Sequence, residues 1–374
     1  MSSRSETSQA MQKSSVALRL TDQDEGYRVD ARELQSLVEL MLAKTGVPAA
    51  DASLVASSLI GADARGMNSH GILRLPVYIK RLRQGGFSPR SESKLVRESA
   101  STALIDGGDG LGAVLTMRAM DMAIAKARVT GIAAVGVRNS NHNGEGAPYV
   151  LRAVEADMIG IATTNGSPIM PVWGGKTALT GPLPITLGVP AARHKPIVLD
   201  AALGMSSRGK ILYYAEKGLS LPDGWLVDAD GRPTNDPNWV KNGGWILPIG
   251  GHKGWGLILM CEILSGILTG GAIGRELTNL YDDLHKPQGN GHFVIAINIA
   301  SFLDVASFKE RMDSYISEMK ASELAPGFDE ILMPGEIEFR KEARQRAEGI
   351  VLGRSVVDEV LKTAKDLGIA VATS

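Results

Sequence analysis

Helical periodicity at both ends of the chain, around a middle of short β-branched runs, most restricts the folds open to it. Val29 to Lys44 and Ala49 to Ala64 space their apolar residues by three and four, the mark of amphipathic helices. The second stretch, "VPAADASLVASSLIGADARG", has Pro48 near its start, Asp51 as a candidate N-cap and Gly66 as a stop. Another helix is predicted from about Leu73, seated by Leu73, Val77 and Leu82 with Lys80, Arg81 and Arg83 on its solvated side. Helical patterns return after Asp304 in "SFKERMDSYISEMKAS" and "RSVVDEVLKTAKDLGI". Between these ends, "STALIDGGDGLGAVLTMRAMDMAIAKARVTGIAAVGVRNSNH" reads as strand, glycine-rich turn, helix, strand. "MIGIATTNGSP", "HKPIVLDAALG" and "GHFVIAINIASF" add further strands, and "PRSESKLVRES" is expected to be a polar connector. Helices from both termini thus bracket an α/β middle.

Several function classes are disfavoured. The net charge of −1 leaves no basic field for nucleic acid. The run from Gly254 to Gly274, "GWGLILMCEILSGILTGGAIG", nearly reaches membrane length. Glu262 interrupts it, glycine recurs, and no aromatic belt or basic flank brackets it, so a buried helix is expected and no membrane partner. The N-terminal "MSSRSETSQAMQKSSVALRL" has no apolar core of a secretory signal and is expected to be a flexible tail, residues 1–24. The single cysteine, Cys261, excludes a disulfide framework and a cysteine-based zinc cluster and fits a reducing cytoplasm. The six histidines show no metal-ligand spacing, so no metal is expected, and no Gly-x-Ser-x-Gly elbow suggests a hydrolase.

"GDGLGA", Gly108 to Ala113, matches a dinucleotide-binding glycine pattern between a strand and a helix. Such a site needs an acid about 20 residues on, at the end of the next strand. That strand, "IAAVGVRNSNH", runs through Arg138 instead. Close packing of a helix start against other backbone is the preferred reading.

Five polar, glycine-punctuated clusters carry the candidate chemistry: "NSHGILRLPVY", "NSNHNGEGAPY", "TTNGSPIMPVWGGK", "VLDAALGMSSRGK" and "PIGGHKGWG". His70 titrates near neutrality when unperturbed, and Arg74 lies one helical turn on, on the same face if a helix has begun by Ser69. An imidazole beside a guanidinium suits protonation of a carbonyl whose carboxylate is clamped. From the residues alone, a capping histidine with a surface arginine is the preferred reading. His142 sits among Asn139, Asn141 and Asn143 in a tight turn, either an active-site turn or one that satisfies its own backbone. Asp200 ends a strand, where it could bind a ribose, orient a histidine or cap a helix. His252 and Lys253 precede an apolar helix whose start could bind an anion.

Taken together, "SHGILRLPVYIKRL", "VRNSNHNGEGAPYV", "PVWGGK", "VLDAALGMSSRGKI", "PIGGHKGWGLILMCEILSG" and "LMPGEIE" resemble, in order, the type 2 malate/L-lactate dehydrogenase family. The resemblance implies a non-Rossmann α/β (α+β) fold with a mixed, largely antiparallel sheet and flanking helices. Residues 25–100 with 304–374 would form a helical domain, and 101–303 a domain for dinucleotide and substrate. It implies NAD or NADP as cofactor, a small carboxylate substrate and a homodimer. It also implies interconversion of a 2-hydroxy and a 2-keto acid. A cyclic imino-acid reductase or an inactive dinucleotide-binding homologue is the alternative. His70 matches the family's acid/base histidine, and His142, with Asp200, a second catalytic group. Arg74 and Tyr78 match positions near the substrate carboxylate, with Asn143 beside them. Pro196, Ile197, Val198, Leu199, Asp200, Ala201 and Ala202 match a segment along the cofactor. His252 and Lys253, and Gly335, Glu336 and Ile337, match two further cofactor contacts. The family often has Gly-Thr-Asn-Pro where this chain has "GPLP", Gly181 to Pro184, and a side chain where it has Gly166. Both departures leave the substrate class open.

Overall fold

The computed structural model describes residues 15–24 and 26–374. Three short strands, β1 (Ser15–Leu18), β2 (Leu20–Gln23) and β3 (Gly26–Val29), lead into α1 (Ala31–Lys44), α2 (Ala49–Ala64) and α3 (Leu75–Gln84). The middle holds β4 (Lys94–Glu98), β5 (Thr102–Asp106), α4 (Gly112–Thr130), β6 (Ile132–Ser140), α5 (Ala147–Glu155) and β7 (Met158–Thr164). It continues with β8 (Met170–Pro171), β9 (Ala178–Thr180), β10 (Pro184–Val189), β11 (Ile197–Ala202) and α6 (Arg208–Glu216). The short strands β12 (Leu226–Val227), β13 (Pro233–Thr234) and β14 (Trp245–Ile246) precede α7 (His252–Glu262) and β15 (Asn290–Asn298). The chain closes with α8 (Val305–Lys320), α9 (Glu336–Glu348), β16 (Ile350–Leu352), α10 (Arg354–Asp366) and β17 (Ala370–Thr373).

The central sheet has seven strands in the order β11-β10-β7-β15-β6-β5-β4. Only β5 and β6 run parallel; the other neighbours are antiparallel. The sheet is therefore mixed and largely antiparallel, as expected, and lacks the all-parallel crossovers of a Rossmann unit. "GDGLGA" is a packed corner. The amides of Asp109 and Gly110 donate to Asn139 and Gly107 carbonyls at 2.8 and 3.0 Å. Leu111 N donates to Ser91 Oγ at 3.1 Å. A methyl group on Gly112 would sit 1.9 Å from the Asn141 carbonyl oxygen. Gly108 N donates to Asp106 Oδ1 at 3.2 Å, and Arg138 pairs with the same carboxylate at 3.1 Å. The corner instead supports the turn that carries His142.

The two ends of the chain meet. β1 pairs parallel with β17, and β3 pairs with both β2 and β16. Leu34, Leu37, Val38 and Met41 of α1 share one apolar cluster with Ile350, Val357 and Val360. The expected tail through Asp24 therefore ends earlier, because Ser15 to Gln23 find strand partners near the C-terminus. Met1 to residue 14 of that tail lie outside the described residues. α8 lies apart from the apolar cluster of the termini. Its buried Asp313 accepts from Arg193 N at 2.8 Å and Ala192 N at 3.2 Å, beside the β10–β11 turn.

Four local expectations change. The polar connector contains β4, an edge strand exposed along its length, which is why its sequence is polar. Asp51 does not cap α2; it is buried and pairs with Arg118 at 2.6 Å. The apolar run at Gly254 to Gly274 forms α7 and a π-helical turn, Ile263–Ile267, with only one face buried. Leu257, Met260, Ile267 and Leu268 are exposed. Leu73, expected to seat α3, is exposed, and Arg81, expected on the solvated side, is buried. Among the described residues no helix is long and apolar enough to cross a membrane.

Gly112→Ala should lower stability by about 2 kcal/mol or more, because neither backbone in this corner can yield. Urea denaturation of the variant beside the wild type measures it.

Candidate active site

His70 and Arg74 do not share a helix turn. Asn68–His70 and Ile72–Arg74 are two 3-10 turns broken at Gly71, and α3 begins only at Leu75. The break is held by Asp63 from the end of α2. Its buried carboxylate accepts from Ile72 N at 2.7 Å and from Asn68 Nδ2 at 3.1 Å. A methyl group on Gly71 would lie 2.2 Å from that carboxylate, so the His-Gly pair is a steric requirement. Burial pushes the Asp63 carboxyl up to about 7. The second turn swings Arg74 back, and its Nε donates to the Ser69 carbonyl at 2.6 Å.

The two histidines meet here. Their rings stack at 5.7 Å between centroids and 13° between planes. Tyr78, one turn into α3, places its hydroxyl 2.6 Å from His142 Nδ1. The Ser69 hydroxyl lies 3.0 Å from His70 Nδ1. Burial, and then the Arg74 charge, push His70 down to about 4 and His142 well below the ordinary histidine value. Burial pushes the Tyr78 phenol upward. Both imidazoles are therefore neutral at neutral pH beside a protonated phenol. A phenol donating to Nδ1 leaves the proton of neutral His142 on Nε2.

Arg74 makes no ion pair among the described residues. Its partners are the Ser69 carbonyl, the Tyr281 hydroxyl and the Tyr281 ring face, 5.4 Å from the guanidinium carbon. A cation without an acid, beside two neutral imidazoles, is a ready receptor for a carboxylate.

The His142 turn is fixed from behind. Asn141 Nδ2 donates to the Asp109 and Gly110 carbonyls at 2.7 and 3.0 Å. Its Oδ1 accepts from Gln288 N at 2.9 Å, and His142 N donates back to Gln288 Oε1 at 3.0 Å. Asn143 points inward, donating to Thr116 Oγ1 at 3.3 Å, while its carbonyl accepts from the Tyr149 hydroxyl. Asp200 is a helix cap. Its Oδ2 accepts from Gly146 N at 2.9 Å and Ala147 N at 2.8 Å, at the start of α5, and its Oδ1 from Thr186 at 2.8 Å. Those bonds hold the end of the His142 turn and occupy both oxygens. Asp200, a candidate catalytic group, thus supports the His142 turn, and Asn143, a candidate substrate contact, braces it from inside.

Three segments expected along a cofactor converge on β11. Val198 N donates to the Pro334 carbonyl at 3.0 Å, which brings Gly335, Glu336 and Ile337 to the strand. Past Ala202, Met205 N donates to Leu247 O at 2.8 Å and Ile249 N to Leu203 O at 2.9 Å. That pairing leads directly to His252 and Lys253, both exposed on the first turn of α7. Leu199 and Ile337 are exposed beside this edge, and Glu336 is tied down by Lys320 at 2.6 Å and Arg340 at 2.7 Å. The "GPLP" departure is apolar packing. Leu183 is 2% exposed in a cluster with Met170, Leu203, Ile258 and Cys261. A side chain at Gly166 would meet only the edge of Leu183, at 3.8 Å, so space opens there.

The family model described as malate/L-lactate dehydrogenase matches residues 29–361. The chain belongs to the malate/L-lactate dehydrogenase family. Within it, the chain is 41% identical over 354 residues to malate dehydrogenase of Pyrococcus abyssi, covering 92% of this chain and 97% of that one. It is 32% identical over 333 residues to ureidoglycolate dehydrogenase (NAD(+)) of Escherichia coli K12, covering 89% and 93%. The solved sulfolactate dehydrogenase of Methanocaldococcus jannaschii superposes with a TM-score of 0.87 at 38% identity, over 91% of this chain and 97% of that one. Sequence reasoning missed Asp63, Gln288 and Tyr281. For Asp63 the signal was present, as an acid in an apolar helix face shortly before a Ser-His-Gly turn. Gln288 and Tyr281 reach the site from a distant loop, and no spacing reveals them.

His70 should stay neutral down to about pH 4. Imidazole NMR shifts, assigned with His70→Gln, report this. Because its folded value lies below the ordinary one of roughly 6.5, its contribution to stability is present above that value and lost as pH falls toward 4.

Proposed function

We propose that this protein is an NAD(P)-dependent dehydrogenase that interconverts a small 2-hydroxy acid and its 2-keto acid. The observation that carries the reading is the acid-free Arg74 guanidinium beside the stacked, neutral pair His70 and His142. Arg74 takes the carboxylate, and the adjacent carbon is thereby set against the imidazoles. In the oxidising direction neutral His70 accepts the hydroxyl proton; in the reducing direction its conjugate acid returns it to the carbonyl oxygen. A bound carboxylate would offset the Arg74 charge, which after burial is the lesser of the two causes that lower His70. Tyr78 and Ser69 orient the two rings through Nδ1.

The residues along β11 suit a dinucleotide. The α7 N-terminus has no side-chain cap and carries His252 and Lys253, a donor set for a pyrophosphate. Nearby, Ser206 Oγ and Trp255 Nε1 are buried with no hydrogen-bond partner. Leu199 and Ile337 offer apolar surface at the same edge. When bound, the nicotinamide would accept the hydride in oxidation and donate it in reduction. The chain's own part is to hold the carboxylate, move the proton and keep the Asp200-capped turn in register. The names of the relatives, which act on malate, sulfolactate or ureidoglycolate, support a 2-hydroxy acid carrying a second polar group.

NADH or NADPH oxidation against a panel of 2-keto acids tests the reading. His70→Ala should lower kcat by about 10² to 10⁴ on a true substrate. Arg74→Ala should chiefly raise KM, since it removes binding in the ground state as well. Wild-type turnover in His70→Ala would sink the proton-transfer assignment.

The exposed apolar row Leu257, Met260, Ile267 and Leu268 supports a homodimer formed through α7 and its π-turn. Leu268→Glu should then shift the sedimenting mass from dimer to monomer, and an unchanged mass would place the contact elsewhere.

A further inference from the structure

Arg81 is the largest fully buried side chain among the described residues. It has no ion pair there, and its guanidinium is spent on four backbone carbonyls of one loop. Nε donates to Leu280 O at 2.7 Å, Nη1 to Lys286 O at 2.7 Å, and Nη2 to Asn279 O at 2.5 Å and Asp282 O at 2.9 Å. The Phe87 ring lies under it, 5.4 Å away. Burying a guanidinium is costly, and four carbonyls satisfy it without a counter-charge. The cation thus folds the loop from Asn279 to Lys286 around itself. Tyr281 N is further fixed by Asn279 Oδ1 at 2.9 Å.

The loop has one member aimed at the site. Tyr281 is 55% exposed, yet its ring covers the Arg74 guanidinium and its hydroxyl accepts from Nη1. Arg81, within α3, anchors the loop, and Arg74, in the turn just before α3, meets its tip. A phenol oxygen that accepts from Arg74 keeps its own proton free to donate. A carboxylate held by the guanidinium has lone pairs left for that proton, and the bond is charge-assisted.

We propose that the Asn279–Lys286 loop is a substrate-recognition element, in which Tyr281 donates to the carboxylate held by Arg74 and so selects free acids, while Arg81 is its positioning residue. The proposal rests on Arg74 being the carboxylate clamp. An ester or amide at the same place accepts more weakly, so Tyr281 adds to discrimination without taking part in proton transfer.

Steady-state kinetics on a 2-keto acid and its methyl ester, for wild type, Tyr281→Phe, Arg81→Lys, the double variant and Arg74→Ala, test it. Tyr281→Phe should raise KM for the acid about tenfold, more than it lowers kcat, and change the ester by less than about twofold. KM for the dinucleotide should not move. Arg81→Lys should shift acid-over-ester preference the same way, and the double variant should add little, because both changes act through one contact. If Arg81→Lys does not fold, Tyr281→Phe alone decides. Equal effects of Tyr281→Phe on acid and ester, or none, while Arg74→Ala raises KM, would overturn the role of Tyr281. Wild-type acid preference in folded Arg81→Lys would overturn the role of Arg81. An unchanged KM in Arg74→Ala removes the clamp itself, and the proposal with it.

Discussion

The buried carboxylate of Asp63 fixes the turn on which the rest of the site depends. It grips Ile72 N and Asn68 across a glycine too close for any side chain. With that grip the chain breaks into two 3-10 turns before α3, and the break presents His70 outward and folds Arg74 back onto Ser69. A continuous helix would carry both residues at helical spacing with their side chains along its flank. The cost of burying an acid is met by two donors, one of them main chain. The His142 turn is built in the same way from the opposite side. Gln288 donates its main-chain amide to Asn141 Oδ1 and accepts from His142 N at its side chain, and Asp200 caps the helix that follows. Two rigid turns from distant parts of the chain thus bring two imidazoles into a stack.

Electrostatics follow from that packing. Partial burial and the Arg74 charge keep both rings neutral, so the only full charge in the cluster is the guanidinium. A lone guanidinium beside two neutral rings favours an anion. Its polarity does not come from nearby acids, because Asp63 and Asp200 are both occupied with backbone amides. The same use of backbone to satisfy a buried charge recurs at Arg81, which trades an acidic partner for four carbonyls. Arg74, by contrast, has no acidic partner among the described residues and meets the Ser69 carbonyl and Tyr281 instead.

Departures from the family pattern fit this frame. At Gly181 to Pro184 the chain places Leu183 in an apolar cluster under the sheet edge. Gly166 opens space beside it. Neither departure contacts His70, His142 or Arg74.

The two helical ends, the β-branched middle and the Ser-His-Gly and Asn-His clusters were all legible in the sequence. Periodicity reports burial one element at a time, and turn chemistry is local. The lack of a Rossmann site at "GDGLGA" was also legible, from the missing acid after the next strand. Tertiary structure alone decided the rest. Arg81 reads as a solvated charge until the Asn279–Lys286 loop is wrapped on it, and Tyr281 has no local sign of its role. Ser15 to Gln23 read as tail because their strand partners lie at the other end of the chain or across a short turn. Asp200 reads as a ribose ligand, a partner for a histidine or a helix cap, and the amides of Gly146 and Ala147 show it capping. Sequence spacing determines which residues can face one way on one element. Which of them meet across elements depends on long-range packing, and that contact is what turned His70, His142 and Arg74 into one site.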